Sequence, residues 1–190
     1  MLSQINPHFM YNTLTTIASL CDIDSHQAKN LTIEFSSYLR QNIGTLSSRK
    51  KIPFAEEMRH VETYLKIEKA RFGDRINIVY ALSCINFSIP PLTVQPLVEN
   101  AIKHGLTKKA SGGTVKITSY DEKKYYVIEI IDDGAGFSTE KKVDTSEHVG
   151  IENVRNRLRM VSGGTLEIKS KEKVGTRAII KIPKRKARIE

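Results

Sequence analysis

The sequence predicts an α+β protein, a helical hairpin followed by an α/β sandwich. Three observations carry this. Across residues 1–72 apolar side chains recur every three or four positions, the helical period. After Gly73 short β-branched runs arrive in adjacent pairs. Two segments with helical spacing lie among those runs, which suits a mixed sheet covered by helices on one face.

In the first half, Met10, Leu14, Ile17 and Cys21 form a heptad-like stripe. Asp22 to Ser25 reads as a polar turn. Leu31, Phe35, Leu39, Ile43 and Leu46 then line one face of a second helix, which Gly44 to Lys51 breaks. A third helix starts near Pro53, with Glu56 and Glu57 in its first turn, where the helix dipole favours acids. Its stripe is Phe54, Met58, Val61 and Leu65, and Gly73 is placed to cap it. A two-helix hairpin cannot enclose its own apolar stripe. Residues 1–46 are therefore expected to pair with a second copy as a dimeric four-helix bundle.

In the second half, Ile76 to Tyr80 reads as a strand and Leu92 to Leu106 as a helix after Pro90-Pro91. Thr114 to Tyr120 and Tyr125 to Ile131 form a hairpin across Asp121 to Lys124. Val149 to Val161 is a helix, and Thr165 to Ser170 with Thr176 to Ile182 a second hairpin. The expected domains are 1–72, helical, and 73–190, the sandwich.

Composition narrows the class. The chain has 190 residues, 39% hydrophobic, enough for a packed core. No apolar run approaches the roughly 18 residues of a membrane span, and Met1 to Tyr11 lacks the pattern of a secretory leader. Cys21 and Cys84 are too few and too far apart for a disulfide scaffold or a cysteine zinc site. The net charge of +9 is concentrated in the second half. That suits a polyphosphate ligand, a nucleic acid or a membrane surface, and equally a merely soluble surface. Aromatic residues do not interleave with basic ones, so no nucleic-acid platform is expected. The tail from Lys184 to Arg188 reads as a solvated end.

Four segments carry chemistry. In Val94 to Gly105, Asn100, Lys103 and His104 share one helix face beside the apolar Leu97, Val98, Ala101 and Ile102. An amide oxygen, an ammonium and an imidazole suit a magnesium–triphosphate, although the same pattern describes an exposed polar face with a Glu99–Lys103 ion pair. In Ile131 to Phe137, Asp132 ends a strand before Gly134 and Gly136, an acceptor beside a backbone that a flat ligand can approach. Alone this is also a glycine-rich turn. In His148 to Leu158, Gly150 opens a helix that carries Asn153, Arg155 and Arg157, after a polar run Ser138 to Glu147 long enough to act as a lid. Gly175-Thr176 is small enough to face a base.

In that order and spacing, residues 73–183 resemble the ATP-binding domain of sensor histidine kinases and related Bergerat-fold ATPases. The resemblance implies that Asn100 coordinates Mg²⁺ and Asp132 binds adenine. It implies that Gly134, Gly136 and Gly150 shape the pocket and lid, and that Thr176 lies near the base. Gln4-Ile5-Asn6-Pro7-His8-Phe9-Met10-Tyr11-Asn12 in turn resembles the phosphoacceptor box of LytS/YehU-type histidine kinases. By resemblance His8 is the phosphorylated residue. It falls in a first helical turn after Pro7, with Asn12 one turn on to orient the imidazole or a water. Commoner histidine kinases place an acid directly after the phosphoacceptor; here Phe9 follows, so no general base is assigned. His26 and His60 read as solvated, and His148 as incidental.

The expected function is therefore autophosphorylation of His8 from Mg²⁺·ATP and transfer of the phosphoryl group to an aspartate of a response regulator. The enzyme is expected to be a homodimer and a cytoplasmic fragment of a membrane-anchored sensor. A gyrase-type or Hsp90-type ATPase is disfavoured, because those place a catalytic Glu where Pro96 stands. A protein-serine kinase would not need the Asn-Pro-His box. A non-enzymatic nucleotide-binding scaffold is the remaining alternative.

Overall fold

The computed structural model describes residues 7–45, 50–137 and 145–184. The chain divides into two compact units, Met1–Ser48 with Arg59–Asp74, and Arg49–Met58 with Arg75–Glu190. Among the described residues, no helix is long and apolar enough to cross a membrane.

In the first unit, helices α1 (Pro7–Cys21) and α2 (Ser25–Thr45) form the hairpin. Asp24 Oδ1 accepts from the Gln27 amide at 2.9 Å and so caps α2. The buried face of α1 is turned one residue from the expected stripe. Phe9 and Thr13 are buried, whereas Leu14 is 51% exposed and Cys21 is exposed. The cause is aromatic packing: the Phe9 ring lies 4.9 Å from Tyr38, 5.2 Å from Tyr64 and 6.2 Å from Phe35. On α2 the expected Leu31 and Phe35 are buried, joined by Ala28 and Tyr38, while Leu39 is half-buried. The Ile43 side chain and Leu46 lie outside the described residues. Tyr11, Leu14, Ile23 and Ile33 are exposed large apolar residues of the hairpin.

Helix α3 (Phe54–Phe72) contributes to both units. Its expected stripe of Phe54, Met58, Val61 and Leu65 is fully buried. Glu57 and His60 are buried too, which corrects the expectation that His60 is solvated. Gly73 follows with φ of 58°, the left-handed conformation that ends a helix cheaply only at glycine.

The second unit is built on a five-stranded mixed sheet in the order β2-β4-β5-β7-β6. The strands are β2 (Ile76–Leu82), β4 (Gly113–Asp121), β5 (Tyr125–Asp132), β6 (Thr165–Lys171) and β7 (Gly175–Pro183). Only β2–β4 is parallel. The period of two sends Ile128 and Ile130 to the same face as Asp132. Val154 and Leu158 of helix α5 (Thr145–Ser162) are buried in this unit's core. On the other face Arg177 donates from Nη2 to both Glu129 oxygens at 2.8 Å, and Tyr120 donates to Glu129 Oε1 at 2.9 Å.

Two further features were not expected. Ile52–Pro53 (β1) pairs antiparallel with Ser88–Ile89 (β3), too short to show a period in sequence. The start of α3 is tied down by a stack of Phe54, Phe87 and Tyr126, with ring centroids 4.7 and 4.6 Å apart.

Candidate nucleotide and phosphoacceptor sites

The helix expected from Leu92 to Leu106 starts later and changes pitch. Leu92 takes φ of 55° and lies outside it. Helix α4 spans Gln95–Asn100 and runs directly into a π-helical turn, Ala101–Leu106. The cap N–H of Thr107 reaches back to Ile102 O at 3.0 Å. This wider turn brings Gly105 against the end of β5. A Cβ on Gly105 would stand 2.7 Å from Asp132 Oδ1 and 3.0 Å from its Cγ. A Cβ on Gly134 would collide with the backbone of Gly105, whose carbonyl accepts from the Ala135 amide at 3.0 Å. Two residues without side chains thus let Asp132 press against the π turn.

Asp132 is the buried polar centre of the resulting cavity. Its Oδ1 accepts the Gly134 amide at 3.0 Å. Burial pushes its carboxyl up to about 6; the Gly134 and Thr176 backbone donors oppose the shift and the neighbouring Asp133 adds to it. The β5–β7 register sets Thr176 directly opposite Asp132. The Thr176 hydroxyl lies 2.9 Å from Ser170 Oγ, which accepts the Phe137 amide at 3.0 Å. Leu97, Ala101, Ile130, Ile151, Ile168 and Ala178 supply apolar walls, and Asn100 and His104 a polar side. Such a cavity fits a flat base with a hydrogen-bonding edge and a polar tail.

The structure brings Asn100, His104, Asp132, Gly136 and Thr176 together around this cavity. Gly136 has φ of 58°, and a Cβ there would strike the Lys171 carbonyl. Gly134 acts from behind, by its approach to Gly105. Lys103 and Asn153 are exposed and do not line the cavity. Arg157 does not either: its Nη2 donates to Leu92 O at 2.6 Å, a use inside the fold that sequence spacing cannot reveal. Gly150 does not open its helix, because α5 already begins at Thr145. It is exposed, with nothing within 4 Å of a Cβ built on it. The remainder of the expected lid, 138–144, and the His148 side chain lie outside the described residues.

The second constellation lies on α1. Pro7 opens the helix and His8 is exposed in its first turn. Asn12 Nδ2 stands 3.0 Å from His8 Nδ1 and 3.3 Å from Nε2, so the amide braces the imidazole as the i,i+4 spacing suggests. Phe9 points the opposite way, into the aromatic cluster.

Residues 1–76 match the histidine kinase family model, and residues 92–186 match the model of histidine kinase-, DNA gyrase B-, and HSP90-like ATPases. The chain belongs to the histidine kinase family. It is 39% identical over 181 residues to YwpD of Bacillus subtilis strain 168, covering 92% of this chain and 65% of that protein. It is 33% identical over 194 residues to the sensor protein LytS of Staphylococcus haemolyticus, covering 95% of this chain. The chain spans 33% of that LytS protein's length. Its fold is that of the histidine kinase domain of the Erythrobacter litoralis EL346 blue-light activated histidine kinase, with a TM-score of 0.57, 18% identity and 94% of each chain covered.

Two kinds of cavity residue were not legible in the sequence. Gly105 stood in a quoted motif without a role, because only the π turn reveals its contact. Ile130, Ile151, Ile168 and Ala178 are ordinary core types whose position at a cavity wall depends on tertiary packing.

Proposed function

We propose that this kinase binds ATP in the cavity around Asp132 and phosphorylates its own His8. The observation that carries the reading is the pairing of an exposed, Asn-braced imidazole with a buried carboxylate at the floor of an apolar cavity in one chain. Asp132 accepts from the exocyclic amine of adenine, and Thr176 lies beside the base. Asn100 offers an amide oxygen, the donor type a hard cation takes, and would hold Mg²⁺ together with the phosphates. When bound, that ion supplies neutralisation of the phosphate charge. His104 borders the phosphate end of the cavity, and Lys103 adds positive charge on the same helix.

The imidazole of His8 attacks the γ-phosphorus with the nitrogen lone pair. A nitrogen–phosphorus bond forms, the bond to the β,γ-bridging oxygen breaks, and ADP leaves. Asn12 holds the ring in one orientation while this happens. The phosphoryl group then passes to an aspartate of a response regulator. Residues 1–72 form the phosphotransfer and dimerisation region, with Tyr11, Leu14 and Ile33 on the surface that pairs two copies, and 73–190 the catalytic domain. The chain works in the cytoplasm as part of a membrane-anchored sensor.

One observation favours a second reading, a nucleotide-binding scaffold without catalysis: Phe9 replaces the usual acid and is buried, so no carboxylate adjoins His8 in sequence. Incubation with γ-labelled ATP and Mg²⁺ decides. The kinase reading expects an acid-labile, base-stable label on the wild type and none on His8→Ala. Label on both proteins would move the acceptor elsewhere, and nucleotide binding without any label would favour the scaffold.

A further inference from the structure

Glu57 is wholly buried in the first turn of α3. An acid at that position ordinarily serves its own helix from the surface. Glu57 instead serves another helix. Its Oε2 accepts the Leu92 amide at 2.9 Å, and its Oε1 accepts those of Val94 at 2.8 Å and Gln95 at 3.3 Å. Helix α4 needs this. Val94, at its N-cap, makes no side-chain cap, and Glu57 takes the amides that lead into α4 in its place. Backbone donors thus hold the carboxylate against the burial that pushes its pKa up.

The same turn is gripped from its other side. Arg157 Nη2 donates to Leu92 O at 2.6 Å, and the charge of Glu57 supports the half-buried guanidinium. The N–H and C=O of Leu92 are therefore held by groups of opposite charge. Leu92 has φ of 55°, a left-handed conformation that disfavours any residue with a Cβ. The hydrogen bonds from its N–H to Glu57 and to its C=O from Arg157 hold that conformation.

We infer that Glu57, with Arg157 as its counter-charge, is a positioning residue of the nucleotide site: by holding the turn at Leu92 it fixes where α4 and the π turn that continues it carry Asn100 and His104. The inference rests on the nucleotide-site reading above. Asn100 is five residues, about 7.5 Å along a stiff helix, from Gln95, so a displaced start displaces the polar end of the cavity. Asp132 and Thr176 are anchored differently, by paired strands whose register does not involve α4. The Asp132 end of the cavity thus has a support of its own in the strands, although Gly105 also touches it, and the Asn100 end depends more strongly on Glu57.

The test uses the full chain with two ligands, adenosine and Mg²⁺·ATP, titrated by calorimetry. Glu57→Gln keeps the side-chain shape, removes the charge, and replaces one acceptor with an NH₂ group facing N–H donors. Mg²⁺·ATP affinity is expected to fall about tenfold or more, the scale of one charge-assisted hydrogen bond, with adenosine affinity within about twofold. Arg157→Gln acts on the same turn from a less buried position and is expected to lose Mg²⁺·ATP selectively as well. Leu92→Gly removes the penalty on the left-handed turn, so Glu57→Gln/Leu92→Gly is expected to recover most of the loss. An unchanged Mg²⁺·ATP affinity in both single variants, an equal loss of both ligands, or a double variant no better than Glu57→Gln would each overturn the inference. A wild type that binds neither ligand would sink the nucleotide-site reading and this inference with it.

Discussion

Substituting Gly105 by alanine is a one-methyl probe of the proposed nucleotide site. The new Cβ would stand 2.7 Å from Asp132 Oδ1 and 3.0 Å from Cγ, inside contact distance for both. One partner must move. The π turn is held by the Thr107 and Ala135 amides, and the Asp132 carboxylate by the Gly134 amide. The carboxylate ends a short side chain and yields first, turning away from its N–H donor and from the proposed position of the base. Overpacking of this kind costs about 1–3 kcal/mol of stability, and a misdirected charge-assisted hydrogen bond about 1.5–3 kcal/mol of binding. Gly105→Ala is therefore expected to bind ATP roughly 10- to 100-fold more weakly and to melt several degrees lower. Gly134→Ala is expected to be worse, because its Cβ meets the Gly105 backbone, which has no rotamer to change. Calorimetric titration with ATP and a thermal melt followed by circular dichroism read both effects. A Gly105→Ala protein with wild-type affinity and melting temperature would refute the reasoning.

Three other substitutions probe separate links. Asp132 titrates near 6 in the folded chain against an ordinary value of 3.8, so the folded state holds its proton more tightly. Its contribution to stability is accordingly favourable at low pH and lost as pH rises from about 4 to about 6. Nucleotide affinity should do the reverse, rising through about 6 as the carboxylate ionises; Asp132→Asn should flatten both differences in melts and titrations across that range. Gly150→Ala is expected to be tolerated and to stabilise α5 by about 1 kcal/mol, since nothing lies within 4 Å of the added methyl; weaker ATP binding at unchanged stability would instead return a lid role to Gly150. Phe9→Ala should destabilise the first unit by about 3–5 kcal/mol in denaturant unfolding, because the ring fills an aromatic cluster. A near-neutral result would show that the cluster does not hold α1.

Periodicity and local chemistry determined much of this protein by themselves. The apolar spacing of α2 and α3, the paired β-branched runs and the Pro7 helix start depend only on near neighbours along the chain, and so does the His8–Asn12 contact, one turn apart. The ordered boxes around Asn100, Asp132 and Thr176 marked the cavity because each sits at the end of a locally encoded element. Other features were decided only when distant segments met. The buried face of α1 follows Phe9, whose partners Phe35, Tyr38 and Tyr64 lie on other helices. The late start of α4 and the left-handed Leu92 reflect Glu57 and Arg157, 35 and 65 residues away. The approach of Gly105 to Asp132 requires a π turn that no residue spacing announces. Local sequence selects which hydrogen bonds a segment can make with itself; buried charges and absent side chains act across the fold, and only the tertiary structure decides what they touch.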